Sequence, residues 1–223
     1  MSIVTEQFEF NGYGATVIRQ DNPNGKWIWK TEFLYAFDKA ERELNARGYT
    51  RVYYGISNKY GSASAVELMR KFHLHVVKKY SLSEQAVLFG FSRGGLYAFN
   101  YALKYPEAVE KVYLDAPVLD VRTWPPEKSA EQIEMFAEFG IRSLEELKDN
   151  PIDKLPAFFD RRLPLLLVAG GADEVVPFEA NAGKVIKYCQ NNGIKIDCFV
   201  KPDCKHHPHS LDDASEIIKF VEK

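Results

Sequence analysis

Short apolar runs alternate with longer amphipathic runs along most of the chain. Several short runs are apolar at every position, which is typical of parallel strands that are buried on both faces. The longer runs repeat apolar residues at the spacing of an α-helix. We predict strands at 8–10, 15–18, 49–54, 85–89, 109–114, 163–169 and 194–200, and helices at 29–47, 65–80, 94–105, 179–191 and 211–222. This alternation indicates an α/β fold, with a mainly parallel sheet and helices on both faces.

One segment, residues 118–162, interrupts the alternation because it carries no strand pattern. It contains several prolines and predicts only short helices, at 129–139 and 144–148. Such a segment at the end of a strand is where a lid or a substrate wall would lie, and a plain surface connection fits the same pattern. We expect one domain over residues 1–223, with a small lid-like insertion at 118–162.

Composition and charge exclude several classes of protein. The 29 basic and 31 acidic residues give a net charge of −2 without any basic block, so a nucleic-acid partner is not expected. No apolar run reaches the roughly 18 residues that cross a bilayer, and the first ten residues lack a signal-peptide pattern, so no membrane partner is expected. The three cysteines form no close pair, which favours a reducing, cytoplasmic location.

A G-x-S-x-G motif centred on Ser92 lies between the apolar strand at 85–89 and the apolar helix at 94–105. A serine in so tight a strand-to-helix turn takes a strained backbone conformation, and larger residues at the two glycine positions would clash. The turn would present the Ser92 hydroxyl at the carboxyl edge of the sheet. The N–H of Arg93, at the start of the helix, would stabilise an oxyanion there. The motif therefore predicts Ser92 as a nucleophile.

A nucleophilic serine needs a histidine as base and a carboxylate that orients the histidine. Asp173 follows a Gly-Gly-Ala turn directly after the strand at 163–169, which places it at the same edge of the sheet. Asp173 is therefore the candidate acid. Glu174 and the more distant Asp203 are the alternative carboxylates.

Three histidines lie close together between the last predicted strand and the last predicted helix, where the base belongs. They are His206, His207 and His209. So dense a cluster also suggests a metal site, but no carboxylate or cysteine pair completes one. Neither a metal nor a cofactor is therefore expected.

The order of these motifs resembles that of the α/β-hydrolase superfamily over nearly the whole chain. The resemblance implies the α/β-hydrolase fold, with the insertion at 118–162 after its sixth strand. Four finer motifs resemble a bacterial group of esterase-like or serine-peptidase-like hydrolases, which has been linked to esterases acting on carbohydrates. These motifs are Ser-Arg-Gly-Gly-Leu at 92–96, Asp-Ala-Pro-Val at 115–118, Asn-Pro-Ile-Asp at 150–153 and His-His-Pro-His-Ser-Leu at 206–211.

The same resemblance implies a catalytic triad of nucleophile, acid and base: Ser92, Asp173 and His206. Members of the group usually have a glycine directly before the base, and Lys205 stands at that position here. His209, and after it His207, are therefore the alternative bases.

A second oxyanion donor is expected in the loop over residues 20–27, because this fold supplies it from the loop after its third strand. The backbone N–H of Lys26 or of Trp27 is the candidate. Trp27 and Trp124 are candidates for lining the pocket mouth, since aromatic faces suit sugar rings and aryl groups alike. The Arg93 guanidinium either binds a substrate carboxylate or pairs with an acidic neighbour.

Together these residues predict a serine hydrolase that cleaves esters of small or carbohydrate-derived substrates through an acyl-enzyme. Two alternatives are a serine peptidase acting on small peptides and a non-catalytic α/β-hydrolase scaffold that binds a ligand or a partner. The expected partner is a small-molecule ester, and a sugar ester is one candidate. No sequence pattern predicts the oligomeric state.

Overall fold

The computed structural model describes residues 2–223 and contains an eight-stranded sheet. The strands are β1 (Ile3–Phe10), β2 (Tyr13–Gln20), β3 (Trp27–Lys30), β4 (Thr50–Tyr54), β5 (Ala86–Phe91), β6 (Val109–Asp115), β7 (Leu165–Gly170) and β8 (Asp197–Lys201). Their order across the sheet is β1-β2-β4-β3-β5-β6-β7-β8. β1 pairs with β2, and β2 with β4, in the antiparallel sense, and all other neighbours are parallel.

Helices cover both faces of this sheet. They are α1 (Lys39–Ala46), α2 (Ala63–Tyr80), α3 (Gly94–Lys104), α4 (Ala130–Phe139), α5 (Leu155–Phe159), α6 (Ala182–Asn191) and α7 (Ser215–Glu222). Side chains from α1 and α7 form one apolar core, and those from α2 to α6 form the other. Successive residues of β5 alternate between the two cores, as the pleat of a strand requires: Val87 and Phe89 join the first, and Leu88 the second. The predicted α/β architecture is confirmed.

The helix predicted at 29–47 is wrong over its first part. Residues Trp27–Lys30 form β3, which lies between β4 and β5 in the parallel part of the sheet. Helix α1 begins only after a loop over residues 31–38. Phe33 and Phe37 share the spacing of a helix face, but both have positive φ values, 56° and 51°. A Trp-Ile-Trp run is better accommodated in a buried, pleated strand than in a helix, and the structure places it there.

The last helix also begins later than predicted, at Ser215 rather than at residue 211. The Ser210 N–H donates to the Asp115 carboxylate at 2.7 Å instead of entering a helix. The residues between β8 and α7 therefore form a longer loop than the sequence indicates.

The insertion predicted at 118–162 lies where expected, between β6 and β7, and no strand occurs in it. Helices α4 and α5 and two single 3₁₀ turns make up its regular structure. α4 is tied to the turn before α2, since the Tyr60 hydroxyl donates to Glu134 at 2.5 Å and Lys59 pairs with Glu138 at 2.6 Å. The lid-like role of this segment stays a prediction.

Helix length and hydropathy also show whether a helix could span a membrane. No helix within residues 2–223 combines the length and the apolar composition that crossing a membrane requires.

Candidate active site

Ser92 lies in a sharp turn between β5 and α3, at the carboxyl edge of the sheet. Its φ is 49°, which is strained for a residue that carries a side chain. Two backbone hydrogen bonds of 2.9 Å hold the turn: the Ser92 N–H donates to the Asp115 carbonyl, and the Val118 N–H donates to the Ser92 carbonyl. The end of β6 and the residues after it therefore fix the backbone of the candidate nucleophile.

Glycine is required beside Ser92 because other elements approach the turn closely. A Cβ on Gly94 would lie 2.8 Å from the Thr31 Oγ1, and a Cβ on Gly95 would lie 2.5 Å from the Pro117 Cβ. The loop after β3 and the segment after β6 thus meet at the start of α3.

Three side chains at this edge form a continuous chain of hydrogen bonds. The Ser92 Oγ lies 2.9 Å from the His206 Nε2, and the His206 Nδ1 lies 2.7 Å from an Asp173 carboxylate oxygen. The other Asp173 oxygen accepts the N–H groups of Val175 and Val176 at 3.0 and 2.9 Å, which fixes the carboxylate. All three side chains are buried. A histidine that donates from Nδ1 to the carboxylate presents the Nε2 lone pair to the serine hydroxyl, as a general base must.

Asp173 and His206 lie on two loops, after β7 and after β8, that pack backbone against backbone. The Ala172 N–H donates to the Cys204 carbonyl at 3.0 Å. A Cβ on Gly170 would lie 2.4 Å from that same carbonyl oxygen. The close approach of the two loops, which a glycine permits, sets the separation of the carboxylate and the imidazole.

A second buried aspartate–histidine pair lies beside the first. The His209 Nδ1 is 2.8 Å from one Asp115 carboxylate oxygen, and the other oxygen accepts the Ser210 N–H at 2.7 Å and the Tyr113 hydroxyl at 2.5 Å. The rings of His206 and His209 are 4.8 Å apart, in an edge-to-face arrangement. Sequence reasoning missed this role of Asp115, although the Asp-Ala-Pro-Val motif that begins with it is a signal that could have found it.

The third histidine, His207, is exposed, and its ring stacks on that of Phe37 at 5.7 Å. The ring nitrogens of His206, His207 and His209 lie within 4.8 Å of one another, so they are the histidines that could hold a metal ion. Both nitrogens of His206 and one of His209 already bond to other side chains. A metal bound by this cluster would therefore displace one of the two hydrogen bonds of His206, either to Ser92 or to Asp173.

The structure corrects the predictions for Lys26 and Trp27, which were the candidates for the second oxyanion donor. The Trp27 indole is buried, donates to the Ser83 carbonyl at 2.9 Å and belongs to the core, so it does not line a pocket mouth. The Lys26 N–H donates to Asn24 within its own turn. Lys26 directly precedes β3 and Trp27 is its first residue, so both lie at the amino end of that strand, opposite to the carboxyl edge of the sheet where Ser92 lies. The loop that follows β3, from residue 31, reaches the elbow instead, and Glu32 N lies 3.4 Å from where a Gly94 Cβ would be.

Arg93 pairs with an acidic neighbour, Glu32, which sequence reasoning did not single out. The Arg93 Nε lies 3.4 Å from a carboxylate oxygen of Glu32, whose other oxygen accepts the Ser57 hydroxyl at 2.8 Å. Burial raises the pKa of Glu32 above its usual range, and the Arg93 guanidinium offsets part of that shift. This pair joins the loop after β3 to the residue after the candidate nucleophile.

Trp124 is half-buried in the insertion, with its ring 6.3 Å from that of Tyr60. The Tyr60 ring in turn lies 5.6 Å from the Arg93 guanidinium. A groove of about 1240 Å³ runs past Tyr60 between α2, α3 and the insertion, and Ser92 does not line it.

A mainly parallel sheet whose elbow serine meets a histidine and an aspartate on the loops after later strands defines a serine hydrolase of the α/β-hydrolase superfamily. The sequence matches the model of the prolyl oligopeptidase family over residues 45–223, so the chain belongs to that family. The resemblance to the α/β-hydrolase superfamily is thereby confirmed. A search of curated protein sequences finds no match to this chain.

Solved structures share the fold at low sequence identity. An S-formylglutathione hydrolase from Staphylococcus aureus has a TM-score of 0.70 at 12% identity, covering 99% of this chain and 96% of that one. A fluorophosphonate-binding serine hydrolase from the same organism has a TM-score of 0.71 at 14% identity, with coverages of 99% and 95%. Porphyromonas gingivalis dipeptidyl peptidase 4 has a TM-score of 0.70 at 12% identity. This chain covers 34% of that peptidase, whereas 97% of this chain is covered.

Proposed function

We propose that this protein hydrolyses carboxylic esters through an acyl-enzyme, with Ser92 as nucleophile, His206 as general base and Asp173 as the orienting acid. The observation that carries the proposal is the hydrogen-bonded chain from the Ser92 Oγ through the His206 ring to the Asp173 carboxylate. A serine hydroxyl is a weak nucleophile without such a base. The side chains of a second buried pair, Asp115 and His209, hold the neighbouring loop and make no hydrogen bond to the Ser92 hydroxyl.

In the first half of the reaction, the His206 Nε2 takes the proton of Ser92 as the Oγ attacks the ester carbonyl. Asp173 stabilises the imidazolium that forms. The same Nε2–H then protonates the leaving alcohol, and the acyl group stays on the Ser92 Oγ. In the second half, His206 removes a proton from water, which attacks the acyl-enzyme and releases the acid.

Backbone N–H groups from two elements stabilise the oxyanion in this proposal. Arg93 precedes the first turn of α3, where helix N–H groups have no intrahelical partner and the helix dipole favours negative charge. The second N–H comes from the loop after β3, in which Glu32 approaches the start of α3. Such preorganised donors each contribute about 10² to 10³ in kcat.

Esters of small alcohols, including sugar esters, are the proposed substrates. A neighbour of matching length, the S-formylglutathione hydrolase, acts by its name on a thioester with a small acyl group, which supports acyl transfer from a small substrate. A serine peptidase for small peptides is the second candidate, and the prolyl oligopeptidase family match favours it. This chain covers 34% of the dipeptidyl peptidase neighbour, so about two thirds of that peptidase has no counterpart among the residues aligned here.

A hydrolysis panel tests the proposed function. It contains 4-nitrophenyl esters from acetate to decanoate, acetylated and methyl-esterified sugars, and peptide 4-nitroanilides. Turnover of short esters that is absent in Ser92→Ala and retained in Ser83→Ala, an exposed serine, would support an esterase. Turnover of the anilides alone would favour the peptidase. If neither class reacts and a fluorophosphonate leaves Ser92 unlabelled, the proposal is wrong and a binding scaffold remains.

A further inference from the structure

The last strand of the sheet, β8, leaves one of its two edges without a partner strand. Within residues 2–223 it pairs only with β7, in the parallel sense. Its side chains are accessible, since Asp197, Cys198 and Val200 are all exposed. An open edge with accessible side chains is a surface on which another strand can pair.

The direction of the backbone groups shows which of them point to the open edge of β8. The Gly171 N–H donates to the Lys201 carbonyl at 2.9 Å, so the backbone groups of Lys201 face β7. Those of Phe199 face β7 as well, because the backbone groups of successive residues point to alternate sides of a strand. The N–H and C=O groups of Cys198 and Val200 therefore point away from the sheet, toward any strand that pairs with this edge.

Charged residues are placed symmetrically about Phe199, the centre of β8. Asp197 and Lys201 stand two residues on either side of it. Lys195 and Asp203 stand four residues on either side of it. When two such strands pair in the antiparallel sense with Phe199 opposite itself, each acidic residue faces a basic residue of the other strand. Opposite charges directly across two strands stabilise their pairing, and like charges destabilise it.

The same register satisfies the backbone groups at the open edge. Cys198 of one copy then lies opposite Val200 of the other, so the residues whose backbone groups point outward meet each other. Residues opposite each other in this way exchange two hydrogen bonds, and the twofold axis repeats the pair. Phe199 meets its own copy in the intervening pair, which needs no backbone hydrogen bond between the strands.

The charged groups of β8 have bonding capacity left for a second copy. The Lys201 Nζ donates to the Pro208 and Ser210 carbonyls at 2.5 and 2.9 Å. One of its three N–H donors is therefore left for a carboxylate. The Asp197 carboxylate lies 3.5 Å from the Lys223 Nζ, and both side chains are exposed. A loose surface pair of this kind leaves acceptor capacity on the carboxylate for a further cation.

The opposite edge of the sheet, β1, lacks this symmetry of charge. Its charged residues are Glu6 and Glu9, and it contains no basic residue. Pairing of β1 with itself gains no attraction between opposite charges, and it brings like charges together when the two glutamates lie opposite each other. Charged side chains on an edge strand are a usual protection against such pairing. Charge therefore favours β8 over β1 as the edge that meets a second copy.

We propose that β8 pairs with β8 of a second copy of this chain, in the antiparallel sense and with Phe199 opposite itself, so that the two sheets become one. Because the same strand is used on both sides, the contact is isologous and assembly stops at a dimer. The proposal does not depend on the reaction at Ser92, since it rests on the open edge, the backbone directions and the charges of β8.

A disulfide cross-link tests the register of the two strands. Val200→Cys places a thiol opposite the native Cys198 of the second copy, at a separation that a disulfide spans. Diamide takes up the two thiol hydrogens as the S–S bond forms, and we expect a covalent dimer on a non-reducing gel. Val200→Cys combined with Cys198→Ser should give none, and neither should Val4→Cys, at an exposed position of β1. A cross-link that persists without Cys198 would overturn the register.

Charge reversal tests the association in solution, by sedimentation velocity. Lys195→Asp places an acidic residue opposite Asp203 of the second copy and should raise the dissociation constant of the dimer about tenfold. Adding Asp203→Lys restores opposite charges and should return the dissociation constant to the wild-type value. Both residues are exposed, so a thermal melt should show that each variant folds. Glu9→Lys, at an exposed position of β1, is the control and should leave the dissociation constant unchanged.

The sedimentation results can also contradict the proposal. A wild-type chain that stays monomeric up to about 100 μM would overturn it. A double variant that associates no better than Lys195→Asp would overturn the predicted pairing of charges. Species larger than a dimer would overturn it too, because a contact between β1 and β8 is heterologous and need not close. A dimer weakened by Glu9→Lys alone would assign the contact to β1.

Discussion

Two aspartate–histidine pairs lie side by side at the carboxyl edge of the sheet, and they differ in what the histidine faces. His206, on Asp173, presents its Nε2 to the Ser92 hydroxyl. His209, on Asp115, packs against aromatic rings, and Asp115 also holds the backbone N–H of Ser92 through its carbonyl. At the residue scale, the second pair therefore links the histidine loop to the strand that fixes the serine.

Replacing Asp173 by Asn should remove the charge that orients His206 while keeping the size of the side chain. We expect kcat to fall about 10³-fold to 10⁴-fold, because the imidazole loses the tautomer and the stabilisation that a base requires. The measurement is kcat on 4-nitrophenyl acetate, with a thermal melt to verify folding. Glu174→Gln, at the exposed neighbouring carboxylate, is the control and should keep wild-type kcat. A near-normal kcat in Asp173→Asn would mean that another residue is the acid.

The three clustered histidines should respond differently to replacement by alanine. His206→Ala should reduce kcat about as much as Ser92→Ala does, since the two side chains act as a unit. His207→Ala, at an exposed ring, should change kcat least. The loss of kcat in His209→Ala should lie between those of the other two variants, because the substitution removes a partner of the buried Asp115 carboxylate. Steady-state kinetics of the three variants decides the order, and a larger loss at His209 than at His206 would reassign the base.

At the element scale, the loops after β7 and β8 function as one unit because their backbones touch. Gly170 ends β7, and a Cβ there would lie 2.2 Å from the Lys205 carbonyl oxygen. That carbonyl directly precedes His206. The end of β7 thus sets the position of His206 through a backbone contact that only glycine permits.

Gly170→Ala should therefore lower kcat by more than its loss in the free energy of unfolding alone would explain. Overpacking of this kind costs about 1–3 kcal/mol of the free energy of unfolding. A displacement of His206 by about 1 Å would lower kcat about 10²-fold. Denaturant unfolding and kcat, measured on the same preparation, give both values. Gly14→Ala is the control, since a Cβ at Gly14 meets no atom within 4 Å. Unchanged kcat in Gly170→Ala would show that the loop adapts without moving His206.

A comparison of the predicted and observed strands and helices shows where local sequence patterns are insufficient to predict secondary structure. Strands and helices of the central part, from β5 to β6, were predicted to within about two residues, because each carries a clear apolar pattern. β3 was missed because four residues are too few for a period to show. Its neighbours β4 and β5 stabilise it, through pairings of Trp29 with Val52 and Leu88. Because β3 was not predicted, the expected oxyanion donor was placed before it, at Lys26 and Trp27, and not in the loop after it, which approaches the start of α3.

For the molecule as a whole, a buried histidine outside the site couples stability to pH. His73 in α2 is buried among aromatic rings, and its Nε2–H donates to the Glu84 carbonyl at 2.9 Å. Burial lowers the pKa of His73 from 6.5 to about 4. Between these two values the unfolded chain binds a proton that the folded protein excludes, so the free energy of unfolding falls as the pH falls.

We expect this single residue to account for a loss of about 3 kcal/mol in the free energy of unfolding between pH 6.5 and pH 4. His73→Phe should flatten that part of the pH profile, whatever its own effect at pH 7. Urea unfolding at half-unit steps measures the profile, and His75→Gln on the same helix is the control. An identical slope in His73→Phe and wild type would show that other groups cause the acid sensitivity.

The sequence by itself determined the α/β architecture and the elbow at Ser92, because both depend on short-range rules: periodic apolar residues, and glycines on either side of a tight turn. It also limited the base to three histidines and the acid to a few carboxylates. Only the tertiary structure decided that His206 faces Ser92, a residue 114 positions away, and that Asp115 holds His209. The backbone of the loop after β3 likewise depends on a residue outside it, since Arg51 donates to the Leu34 carbonyl. These contacts form between chain segments that the fold brings together, and a local sequence pattern does not specify which segments meet.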